Sequence, residues 1–109
     1  MALDAEGVLK DMVDAAKRVL VGKWPDVEEY ARTEFKKLGD VFLMIQRLRL
    51  EGKIAENQAK LHLDMQKNAM RIVLLSIEGL GLLAVEEAIN AALAAVAGPI
   101  NGALGFDLI

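Results

Sequence analysis

The chain has no cysteine, which removes disulfide staples, thiol catalysis and thiolate metal sites together. A fold of this size must then be held by packing alone, and a reducing, cytoplasmic setting fits. Serine occurs only at Ser76 and histidine only at His62. A serine, histidine and acid triad therefore has one possible pair to start from, and Ser76 lies in an apolar run without the glycine-rich elbow such a nucleophile needs. The segment Glu78-Gly79-Leu80-Gly81-Leu82 lacks the third glycine and the lysine of a phosphate-binding loop. No enzyme activity and no cofactor are expected. With a net charge of −3 and a pI near 5.1, the chain also lacks the basic excess of a nucleic-acid binder.

Basic residues are missing altogether after Arg71, where the only charges are Glu78, Glu86, Glu87 and Asp107. The first part is well supplied with both signs; the second is acidic and otherwise apolar, as expected of a buried or subunit-facing helix. At the amino terminus Asp4, Glu6, Lys10 and Asp11 interrupt any apolar run, so no secretory signal is expected.

What is present is apolar, helix-forming sequence: 54% of the 109 residues are hydrophobic, above the usual ~45–50%. The length fits one domain, residues 1–109, and all-α periodicity runs through it. Leu9, Met12, Val13, Ala16 and Leu20 predict a short amphipathic helix over about 3–21, ended by Gly22. Pro25 with Asp26, Glu28 and Glu29 marks the start of a long helix over about 25–51. Within it Val27, Ala31, Glu34, Leu38, Val41, Ile45 and Leu48 alternate four and three apart, the spacing of a coiled-coil seam. After Glu51-Gly52-Lys53, the series Ile54, Gln58, Leu61, Met65, Asn68, Ile72 and Leu75 resumes that rhythm. This predicts an antiparallel hairpin with a third helix over about 54–97, continuous or mildly bent at 79–81. The result is a three- or four-helix bundle, followed by an apolar tail over 98–109 that docks on the bundle or on a neighbouring subunit.

Four polar residues stand out against this pattern. Glu34, Gln58 and Asn68 fall on seam positions, and hairpin geometry sets Glu34 level with Arg71, so an ion pair at the helix interface is expected. Ala84, Ala88, Ala91, Ala92 and Ala95 form a small-residue face that, with Phe106, predicts close helix contact and a homo-oligomer built through the C-terminal half. The leading expectation is thus a non-enzymatic assembly or interaction module. A membrane-associated helical protein is second, because Ala88 to Phe106 carries no charge; Gly98, Pro99, Asn90 and Asn101 and the absence of an aromatic belt weigh against it. A ferritin-like metal bundle is third, with Glu34, His62 and Glu78 as candidate ligands, although the Glu-x-x-His pair of such sites is missing because position 59 is Ala59.

Overall fold

The computed structural model describes residues 3–109 and contains four helices: α1 (Ala5–Val19), α2 (Trp24–Leu50), α3 (Glu56–Leu75) and α4 (Leu82–Leu104). A helix of 27 residues is about 40 Å long, close to the 43 Å long dimension of the molecule, so α2 runs its full length. α4 packs chiefly against α1, α3 against α2, and α1 also against α2. One core joins all four, with Met12, Val27, Phe35, Phe42, Met70 and Ile89 among its fully buried side chains.

Local chemistry explains most helix ends. Asp4 caps α1 by accepting from the Gly7 amide at 3.1 Å. α1 stops at Val19 with Leu20 as its C-cap, two residues before the expected Gly22. Trp24 opens α2 and is buried, with Pro25 in the first turn, where a missing N–H costs nothing. The α2–α3 connection is closed by the Ala55 amide donating to Gln58 Oε1 at 2.8 Å and by an Arg49–Glu56 ion pair. Gln58 is therefore an exposed capping residue rather than a buried seam residue.

The long third helix is corrected to two. α3 ends at Leu75 and α4 begins at Leu82, because Gly79 adopts φ +86, a left-handed conformation that breaks a helix and that glycine tolerates best. The neighbouring Leu80 is buried, which anchors the corner to the core.

At the other end α4 runs past Pro99 to Leu104, where the sequence predicts a stop. Proline removes the N–H partner of the Ala95 carbonyl, a loss tolerated at an exposed residue such as Ala95, where the carbonyl is not desolvated in the core. Gly105, at φ +79, makes the left-handed C-cap that ends α4 instead.

The tail then folds back onto the bundle. Asn101 Oδ1 accepts from the amides of Leu108 at 2.9 Å and Ile109 at 3.0 Å, and its Nδ2 donates to the Ile109 carbonyl at 3.1 Å. Leu104 and Leu108 are buried, and the Arg49 guanidinium lies 4.8 Å from the centroid of the Phe106 ring. Asn101→Ala is expected to cost about 1–3 kcal/mol and to release residues 105–109 to carboxypeptidase, which mass spectrometry of the digest reads directly. A tail digested no faster than in wild type contradicts this anchoring.

Candidate functional site

α3 carries two apolar faces on opposite sides. Ala59, Leu63, Met70 and Leu74 point into the core. At 100° per residue, Leu61, Met65, Ile72 and Leu75 lie on the far side, and they are 61%, 57%, 70% and 39% exposed. The second set is the series predicted as the buried seam of the hairpin. It faces outward because the inner set, which begins with the small Ala59 and lets the helices approach closely, holds α3 against the bundle. Further exposed leucines sit at both ends of α3: Leu50 before it, and Leu82 and Leu83 after it.

This face is an unusual use of apolar surface, since the chain otherwise hides itself as well as a monomer should. Its accessible area of 6157 Å² is close to the roughly 5,950 Å² that size scaling gives for a folded chain of this mass. The excess lies in placement, as large aliphatic side chains at helical spacing along one line.

The polar residues on and beside the stripe are differently paired from the expectation. Arg71 donates through Nε and Nη2 to Glu86 on α4 and through Nη1 to Asn68, while Glu34, buried on α2, accepts from Lys37 Nζ at 3.1 Å. The expected Glu34–Arg71 pair is thus replaced by Arg71–Glu86. The hairpin level is nearly right: Glu34 shares a surface cleft with Val73 and Tyr30. The side is wrong, because Arg71, two residues from Val73, points to the opposite flank, toward α4. Asn68 is exposed, so of the four polar residues singled out only Glu34 is buried, with Arg71 half-buried.

The Arg71 hydrogen bond holds the Glu86 carboxyl below its ordinary value of 4.5, against opposing desolvation and with help from the Arg71 and Lys67 charges. A depressed folded-state pKa contributes stability above the unfolded value and loses it as pH falls through the folded one. The melting temperature is accordingly expected to fall below about pH 4.5, and to fall less steeply in Arg71→Ala. Thermal scans between pH 3 and pH 7 check it, and parallel curves for the two proteins contradict it.

The small-residue face is occupied inside the chain. Ala88 and Ala92 are fully buried, Ala84 and Ala91 half-buried, and Ala95 exposed. Phe106 is half-buried under Arg49. Glu34 on α2, the half-buried His62 on α3 and the exposed Glu78 in the α3–α4 corner do not come together: among the described residues no three His, Asp or Glu side chains are grouped to hold a metal ion. Ser76 is a C-cap whose hydroxyl donates to the Val73 carbonyl. An open groove of 380 Å³ between α3, the middle of α4 and the tail has Lys60, Asp64 and Lys67 on its α3 side; Arg71, two helical turns on from Asp64 and bonded to Glu86 of α4, lies on the same flank.

No family, no curated protein and no solved structure matches this chain.

Proposed function

We propose that this chain is a non-enzymatic helical interaction module that docks another protein chain on the outer face of α3. The observation that carries the reading is the pair of opposed apolar faces on one helix. An intrachain fold needs one such face, and the second gains nothing until something covers it. Of the C-terminal segment from Ile72 onward, Ile72, Leu75, Leu82 and Leu83 are the exposed large apolar residues. The proposed contact therefore keeps part of that segment and moves its weight onto α3.

Leu61→Lys and Ile72→Lys, alone and together, test this at positions where a long charged side chain meets solvent. Helix content and melting behaviour at low concentration are expected to stay as in wild type, while the mass of the assembly in light scattering drops toward 11.9 kDa. An unchanged mass in the double variant contradicts the reading.

α4 supports a second reading, because Leu82–Leu104 is one helix long and apolar enough, by length and composition, to cross a membrane. Beyond the exposed Leu82 and Leu83 of its first turn, its larger apolar residues, Val85, Ile89, Leu93, Val96, Ile100 and Leu104, are buried, and much of its remaining outward surface is Glu87, Asn90, Ala94, Ala95 and Gly98. Insertion would have to strip α4 from α1 and give lipid a face that is small and partly polar. Recovery of the full-length chain in the detergent-free soluble fraction favours the interaction module; recovery in the membrane fraction alone favours insertion.

A further inference from the structure

We infer that the partner on this face is a second copy of the same chain, paired antiparallel along α3 about a two-fold axis near residues 66–67. The inference rests on the reading of α3 as an interaction surface and adds the occupant, direction and register.

The spacing of the stripe supplies the first argument. Leu61, Met65, Asn68, Ile72 and Leu75 alternate four and three apart, the repeat that lets one helix seat its side chains between those of another along a seam. Antiparallel pairing about the stated axis sets Leu61 beside the partner's Ile72, Met65 beside the partner's Asn68, and Gln58 beside the partner's Leu75. Large apolar side chains then meet on both sides of the axis.

Charge supplies the second. Asp64 and Arg71 lie seven residues apart on the flank facing α4, and flanking residues of this type meet their own kind across an antiparallel seam. The axis that aligns the apolar layers leaves Asp64 and the partner's Arg71 two residues, about 3 Å, from level, a diagonal that a long guanidinium spans along the flank of the seam, and the two-fold repeats the pair with Arg71 and the partner's Asp64. Arg71 uses three donor atoms on Glu86 and Asn68, and a guanidinium has five N–H groups, so donors remain. A parallel pairing sets Asp64 against the partner's Ala69 and Arg71 against the partner's Ser76, with no charge complement. The Asn68 side chain, which accepts from Arg71, keeps a hydrogen bond when the seam closes over it.

Area supplies the third. The stripe from Gln58 to Leu75 is about 26 Å long, a footprint of about 300 Å², against the roughly 800 Å² per partner of a standard interface. Antiparallel pairing lays the start of one α3, next to Leu50, beside the end of the other, next to Leu82 and Leu83. The leucines exposed at both corners then extend the contact toward that size.

Because the chain has no cysteine, introduced thiols report pairing directly. Leu61→Cys and Ile72→Cys are purified separately and oxidised with glutathione disulfide, each alone and as an equimolar mixture. The inference predicts a covalent dimer chiefly in the mixture. It also predicts that Asp64→Lys, which turns both cross-pairs repulsive, weakens the wild-type dimer about ten-fold in sedimentation, since each exposed pair is worth up to about 1 kcal/mol. Efficient cross-linking of each variant alone, or an Asp64→Lys dimer as tight as wild type, overturns the antiparallel seam; if Ile72→Lys still dissociates the dimer, α3 remains the contact surface. A wild-type chain that stays at 11.9 kDa and pellets with anionic phospholipid vesicles overturns the second copy in favour of a membrane surface.

Discussion

Ala88→Lys is expected to abolish the native fold, not merely to dissociate an assembly. Ala88 and Ala92 are fully buried within the chain, on a helix that packs chiefly against α1. A lysine at either position must force α4 away from its neighbours, at about 1–3 kcal/mol or more for overpacking. It must also desolvate an ammonium without a partner, for several kcal/mol more. Together these approach the whole stability of a domain, about 5–15 kcal/mol. Far-ultraviolet circular dichroism at 25 °C should show most of the helix lost in Ala88→Lys and Ala92→Lys. Ala95→Lys, one turn on and exposed, should keep the wild-type spectrum. A cooperative melt for Ala88→Lys within a few degrees of wild type contradicts the packing of α4.

The second large effect separates the two faces of α3 with one residue type. Met70 is fully buried and Met65 is 57% exposed, five positions away on the same helix. Truncating a buried methionine to alanine costs about 2–5 kcal/mol, by lost transfer energy and the cavity left behind. Met70→Ala should accordingly lower the melting temperature by about 10 °C or more at any protein concentration. Met65→Ala should leave the melt of dilute protein unchanged and lower it only at concentrations where a partner is bound, because an interface stabilises by mass action. Equal losses in the two variants contradict the assignment of inner and outer faces.

Much of this fold can be read from periodicity. α1 and α2 follow their apolar spacing to within a few residues, and the buried Glu34 was marked by a carboxylate on an apolar seam. On α3 periodicity points to the wrong face for a physical reason. Its sequence contains two helical apolar sets, and the fuller one, with Leu61, Met65, Ile72 and Leu75, is easier to count than Ala59, Leu63, Met70 and Leu74. Periodicity records that a face is apolar; which face the rest of the chain covers depends on the tertiary positions of α2 and α4. The same limit explains Arg71, whose level opposite Glu34 follows from the hairpin but whose flank follows from α4. The break after Leu75 was marked by Gly79 and Gly81, yet an apolar run without proline reads equally well as one helix until Gly79 takes a positive φ. At Pro99 the opposite happened: proline signals a stop, but the exposed position of Ala95 lets the helix continue.

Sedimentation equilibrium of the wild-type chain over a concentration series from about 1 to 100 µM, the range where an interface of this modest size should assemble, tests the central claim that the outer face of α3 binds a second copy. The mass is predicted to rise with concentration from 11.9 kDa toward twice that value, and to stay at the lower value throughout for Ile72→Lys with its helix content intact. A wild type that remains at 11.9 kDa across the series, or an Ile72→Lys variant that associates as wild type does, contradicts it.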